Sequence, residues 1–211
     1  MDYGSILYGL MANRRSIRRF KQDAVPEPLI LKMLEAARLA PSASNRQPSR
    51  FYIVSDQFIK EKLSRSGAIK QKFVLEAPLC IVCCADMRTY STKETESAVK
   101  ELAQAEGMVL DPENVAGYWA WWNRVSEGNG ILNLAYLDLG IAVEHMVLMG
   151  TALGLGTCWM RRIDEEGIAK ALDLSADMLV VALLAVGYPA ENPQQRPRKE
   201  LTNFILSKNV I

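Results

Sequence analysis

The sequence predicts a domain of mixed helices and strands, but not a doubly wound parallel sheet. Three observations carry that prediction. Four short apolar runs, at residues 51–54, 79–85, 156–161 and 178–188, read as strands bounded by turn formers. The helical patterns between them do not alternate with the strands regularly enough for a doubly wound sheet. Residues 131–154, ILNLAYLDLGIAVEHMVLMGTALG, are apolar on every face and read as a long helix buried all round.

That helix organises the chain. At about 1.5 Å per residue it spans roughly 35 Å, enough to cross a bilayer. Asn133, Asp138, Glu144 and His145 interrupt it, however, and Gly140 and Gly150 let neighbours approach closely. It reads as a central core helix. A chain of this size seldom covers so long a helix alone, so a second copy is expected along one side.

With 211 residues, 49% of them hydrophobic, the chain can bury a sizeable core as one domain spanning residues 1–211, with an excursion at about 87–130. Twenty-five basic against 24 acidic residues leave a formal charge of +1, which provides no general attraction to nucleic acid or to anionic membrane. The opening MDYGSILYGLMANRRS places Asp2 before an apolar run too short and too polar for a signal peptide, so a cytoplasmic protein is expected.

Cys80, Cys83 and Cys84 sit in the run LCIVCCA, where a buried strand is expected. Cys80 and Cys83 match C-x-x-C, but in a strand residues three apart point to opposite faces, and a redox pair needs a helix start to lower a thiol pKa. A single histidine, His145, cannot build a His-rich zinc site, and no metal is expected.

Taken in order, residues 5–13 form a short amphipathic helix, followed by the basic RRSIRRFK. Pro26-Glu27-Pro28 reads as a helix entry, and the helix at 29–39 is stopped by Pro41. PSASNRQPS is a loop dense in turn formers. Helices are expected at 56–66, 68–75 and 164–172. The excursion is helical in propensity at first, then aromatic and glycine-rich. The tail from Glu191 begins polar and proline-rich, then offers Phe204, Ile205 and Leu206 to some surface.

Two stretches can carry chemistry. If RRSIRRF is extended, Arg14, Ser16 and Arg18 fall on one side while Ile17 and Phe20 pack elsewhere. Guanidinium groups flanking a hydroxyl suit a phosphate with an adjoining polyol. A solvated basic turn and a nucleic-acid arm are the other readings. Arg196, Arg198 and Lys199 form a second basic group that can meet the same dianion if the tail folds back. In the second stretch, Pro41, Ser42, Ala43, Ser44, Asn45, Arg46 and Gln47 combine small residues with two side-chain amides, suited either to a flat heteroaromatic edge or to a plain connector. Gly154-Leu155-Gly156 is not a dinucleotide fingerprint, because it leaves a helix, enters a strand and lacks the third glycine.

Together RRSIRRF, PSASNRQP, DLGIAVEHMVLMGTALGLGTCWM, LLAVGYPAE and RPRKEL resemble, in order and spacing, the nitroreductase family of FMN-dependent oxidoreductases. The resemblance implies an α+β fold with a mostly antiparallel or mixed central sheet flanked by helices. It also implies an intertwined homodimer, with the long helix at the interface and the C-terminal tail exchanged onto the partner. Two FMN sites built from both chains follow from it. Arg14, Arg15, Ser16 and Arg18 would hold the phosphate, ribityl chain and pyrimidine edge, with Arg198 and Arg196 completing the phosphate site. Pro41, Ser42, Ala43, Ser44, Asn45 and Gln47 would come from the other subunit. Cys158, Trp159, Met160 and Arg161 would pass the isoalloxazine ring.

The implied activity takes hydride from NADH or NADPH and passes it to a flat aromatic acceptor such as a nitroaromatic or a quinone. No catalytic acid or base is named. Reductive dehalogenation, flavin destruction or a flavin-binding protein without turnover are the alternatives. The chain departs from the family pattern at Ser49, at Glu144-His145 and at Arg161-Arg162, whose side chains either shape the pocket or face solvent. Tyr118, Trp119, Trp121 and Trp122 mark the excursion as a lid, which either stacks on an acceptor or packs upon itself.

Overall fold

A computed structural model of the chain describes residues 2–107 and 112–206, so part of the expected lid (108–111) and the end of the expected exchanged tail (207–211) lie outside the described residues. Four strands form one sheet: β1 (Ser49–Val54), β2 (Leu79–Asp86), β3 (Gly156–Met160) and β4 (Met178–Gly187). Their order is β1-β2-β4-β3, and every neighbouring pair is antiparallel. All four strands stand where the apolar runs placed them, to within two residues. β2 is buried along its whole length and β4 along most of it. As the two central strands they are covered on both faces, which is why their sequences are continuously apolar rather than alternating.

The helices are α1 (Tyr3–Asn13), α2 (Glu27–Arg38), α3 (Gln57–Arg65), α4 (Phe73–Glu76), α5 (Thr92–Glu106), α6 (Pro112–Ser126), α7 (Gly130–Ala152) and α8 (Glu165–Ala171). Asp2, Asp56, Ser91 and Asp164 cap α1, α3, α5 and α8 through their side chains, satisfying otherwise orphaned first-turn amides. α2 and α7 cover one face of the sheet. Met33 and Ala37 of α2 meet Leu139, Val143, Met146 and Val147 of α7 over Ile81, Leu184 and Val186. On the other face, Leu63, Val74 and Ile168 pack with Ile17, Phe20, Val82 and Leu183. Cys80 and Cys84 enter this second core and Cys83 the first, so C-x-x-C straddles the sheet as expected.

Two expectations need correction. The helix read at 68–75 is reduced to the single turn of α4. Gly67 turns the chain at φ 75°, and Ile69 pairs with Ile163 in an isolated antiparallel bridge, so tertiary pairing overrides local helix propensity there. α7 is not buried all round either. It has the length and apolarity of a membrane span, yet it lies on the sheet as the core helix, with Asn133, Leu137, Glu144 and His145 exposed along one stripe. Leu137 is 59% exposed, and α1 leaves Tyr3, Ile6, Leu7, Tyr8 and Met11 exposed as well.

Candidate functional site

The basic segment is held against the sheet by its backbone. After the C-cap at Arg14, Ile17 N–H donates to the Thr157 carbonyl, and Ser16 forms a parallel bridge with Thr157. Further on, Phe20 bridges Pro189 and Lys21 N–H donates to Tyr188. The approach is close because Gly156 has no side chain. A Cβ there would stand 2.7 Å from Ile17 Cγ1 and 2.9 Å from Ile17 Cβ. Ile17 and Phe20 go into the core, leaving the arginines half-buried or exposed.

The same pairing brings the far end of the chain alongside. Ala190 N–H donates to the Arg19 carbonyl, and one carboxylate oxygen of Glu191 accepts from the amides of both Arg18 and Arg19. Arg14, Arg15, Ser16, Arg18, Arg196 and Arg198 then line one cavity of about 180 Å³, together with Pro193, Gln194 and Gln195. The two basic clusters of the sequence do meet. Arg15 joins the three residues expected on one side, lining the same cavity. Five guanidinium groups and a hydroxyl around one small cavity fit a phosphate carrying a polyol, which such forks bind bidentately.

The loop between α2 and β1 makes a second, separate concavity of about 360 Å³. Pro41, Ser42 and Gln47 line it with Leu34, Ala37, Phe51, Asp138 and Ala142. No residue lines both cavities. Ser44, Asn45 and Gln47 take positive φ angles of 49°, 52° and 49°, a conformation costly for residues with side chains and enriched at active sites and ligand clamps. Three bonds fix the shape. Gln47 N–H donates to Ser42 Oγ at 2.9 Å, Ala43 N–H donates to Asp138 at 2.9 Å, and Tyr90 OH donates to the same carboxylate at 2.7 Å. Asp138 is 3% exposed.

At the end of β3, pleat alternation sends Cys158 and Met160 into the core and leaves only Trp159 outward, 36% exposed. Of Cys158, Trp159, Met160 and Arg161, only Trp159 and Arg161 are exposed. Burial pushes the Cys158 thiol up, the nearby Arg18 and Arg14 opposing in part. Burial also pushes Cys80 up to about 12 and Cys84 to about 11, which keeps these thiols protonated and unreactive at neutral pH. Arg161 pairs with Glu165, whose carboxyl its hydrogen bond holds below the usual range, and lies 5.3 Å from the Tyr136 ring. Its charge is thereby compensated, whereas Arg162 is exposed.

The aromatic excursion packs partly on itself and partly on β2, β4 and α7. Trp122 is buried in a third cluster with Tyr90, Ala85 and Ala135, and Tyr118, Trp119 and Trp121 lie partly buried against it. Sequence reasoning gave no role to Arg46, Asp138 or Glu191. Asp138 had left a trace as a carboxylate in the midst of an apolar helix. Arg46, inside a loop of small polar residues, left none.

A four-stranded antiparallel sheet with a long core helix thus carries two separate cavities, one of them lined by arginines from both ends of the chain. The sequence model of the nitroreductase family matches residues 11–68 and 120–188, and the chain belongs to that family. An NADH dehydrogenase of Thermus thermophilus is 33% identical over 193 residues, covering 92% of this chain and 91% of that protein. A nitroreductase-like protein from Streptococcus mutans superposes with a TM-score of 0.79 at 22% identity, covering 98% of this chain and 99% of that one. A provisionally named nitroreductase from Exiguobacterium sibiricum, solved in complex with FMN, gives a TM-score of 0.75 at 22% identity, with 96% and 97% covered. Matching relatives also carry the names FMN reductase, 5,6-dimethylbenzimidazole synthase and iodotyrosine deiodinase, at 23%, 29% and 24% identity.

Proposed function

We propose that this nitroreductase-family oxidoreductase binds FMN, draws on NADH or NADPH, and reduces a flat acceptor such as a nitroaromatic or a quinone, as a cytoplasmic homodimer. The observation that carries the reading is the convergence of Arg14, Ser16 and Arg18 with Arg196 and Arg198 on one cavity. The FMN-bound neighbour and the relatives named for NAD(P)H-dependent reduction support it.

Bound FMN would supply the two-electron chemistry, taking hydride from the nicotinamide and releasing it to the acceptor. The chain's own residues bind, orient and bias charge. Arg14, Arg15, Arg196 and Arg198 would hold the phosphate, with Ser16 turned to the polyol. Arg18 would set a fixed cation toward the pyrimidine edge, which would favour negative charge accumulating there. Glu191 braces the segment, one carboxylate oxygen accepting from the amides of both Arg18 and Arg19. Pro41, Ser42, Ala43, Ser44, Asn45 and Gln47 would face the flavin of the other subunit. That arrangement accounts for two separate cavities in one chain, and for apolar side chains left bare on α1 and α7. Trp159 is the outward residue of β3 beside which the ring would lie.

The names 5,6-dimethylbenzimidazole synthase and iodotyrosine deiodinase among the relatives keep two specialised outcomes as the second reading. The test is anaerobic mixing of the FMN-loaded protein with NADH and with NADPH, followed by a panel of acceptors. Bleaching of the flavin absorbance and its return with a nitroaromatic or quinone is the expected result. A protein that leaves gel filtration colourless and binds no added FMN would overturn the proposal.

A further inference from the structure

Arg46 is 8% exposed, and among the described residues it makes no ion pair. A buried guanidinium is costly unless its surroundings compensate it. Here the compensation comes almost entirely from the excursion. Nη1 donates to Thr95 Oγ1 at 2.9 Å and to the Thr89 carbonyl at 3.3 Å, and Nη2 donates to Tyr118 OH at 3.2 Å. The guanidinium carbon lies 4.6 Å from the Trp122 ring centroid and 5.6 Å from that of Tyr90. Five excursion residues, from the turn before α5, from α5 and from α6, thus close around one side chain of the loop. Cation–π contacts gain strength when desolvated, as here.

The neighbours of Arg46 on the loop are the residues with positive φ, Ser44, Asn45 and Gln47. Tyr90 joins the same knot to α7, since its hydroxyl donates to the Asp138 carboxylate that also accepts from Ala43 N–H. The excursion is therefore pinned to the loop instead of lying over it as an independent flap.

We propose that Arg46 is a positioning residue that locks α5 and α6 to the loop bearing Ser42, Asn45 and Gln47, so that excursion and loop move as one body and the size of the acceptor space is preset. Its consequence for acceptors rests on the oxidoreductase reading above, whereas its mechanical part does not. An acceptor too bulky for the preset space must displace α6 and the flavin-facing loop together, and so meets a penalty that a small acceptor does not.

The experiment compares wild type with Arg46→Met, an apolar side chain of similar length, and with Tyr118→Phe, which removes one bond from the excursion side should the first variant fold poorly. Hydrogen–deuterium exchange is read on peptides covering 41–48, 87–107 and 112–126. The expected result is faster exchange, by tenfold or more in Arg46→Met and by a smaller factor in Tyr118→Phe, in the loop and the excursion alike. In steady state, the ratio of KM values for a one-ring and a three-ring quinone should shift at least fivefold in Arg46→Met, with kcat within twofold. Arg46→Lys should restore little, because an ammonium cannot reach Thr95 and Tyr118 at once while lying flat on Trp122. Exchange that rises in one segment only, or an unchanged KM ratio beside normal flavin turnover, overturns the lock. If the wild-type protein neither binds nor reduces flavin, the function reading fails, and the exchange result still decides the lock.

Discussion

Single side chains settle whether the arginine cavity holds a phosphate. Charge-assisted hydrogen bonds contribute about 1.5 to 3 kcal/mol each. Arg14→Ala or Arg198→Ala should therefore loosen FMN at least tenfold, about 1.4 kcal/mol or more, as read by flavin fluorescence titration. Unchanged retention on gel filtration in both variants would remove these residues from the cofactor site. Asp86 makes a separate, structural prediction. Its carboxylate is buried, and the hydrogen bond from Arg88 holds it below its ordinary value of 3.8, with Arg50 adding a weaker attraction. A depressed carboxylate stabilises the fold above the unfolded pKa, and that contribution vanishes as pH falls through the folded value. Asp86→Asn should lower Tm near neutral pH, and the difference from wild type should shrink as pH falls below 3.8 and through the lower folded value. A gap that stays constant across that range would show that the charge is not what matters.

Among the elements, the decisive contact is the one between the arginine segment and β3. Gly156 pairs across the sheet with Gly187, and a methyl group on either would strike its neighbour, Ile17 in one case and Pro78 in the other. Overpacking of this kind costs about 1 to 3 kcal/mol. Gly156→Ala should lower Tm and also weaken FMN binding, because Ile17 can yield only by moving the flanking Ser16 and Arg18. Lower stability with unaltered flavin affinity would mean that the segment's position is set elsewhere. The strands were legible because β2 and β4 are buried on both faces and so carry unbroken apolar runs. The false helix at 68–75 was not legible, since the bridge from Ile69 to Ile163 joins residues nearly a hundred positions apart and leaves no local pattern. For the same reason the Arg46 knot was invisible: its partners Thr95, Tyr118 and Trp122 belong to helices that only the folded chain brings to the loop.

For the whole molecule, α7 leaves one open stripe and α1 leaves apolar residues bare. If a second copy covers them and completes each flavin site, Leu137→Glu should yield a monomer by light scattering and lose FMN in the same step, although residue 137 lines neither cavity. A monomeric variant that keeps its flavin would show that one chain suffices. The apolar tail residues Leu201, Phe204 and Leu206, also exposed, are the part of the proposed exchange that the described residues reach.

The sequence by itself determined the four strands, the core helix, the burial of Ile17 and Phe20 beneath an arginine row, and membership of a flavin-using family, because each is written in local periodicity or in residues close together in the chain. Only the tertiary structure decided that Arg196 and Arg198 reach Arg14, that Asp138 and Arg46 hold the loop in shape, and that the excursion is pinned at its base. Those facts depend on backbone pairing and desolvated contacts between distant segments, and a buried charge shows its purpose only when its surroundings are assembled around it.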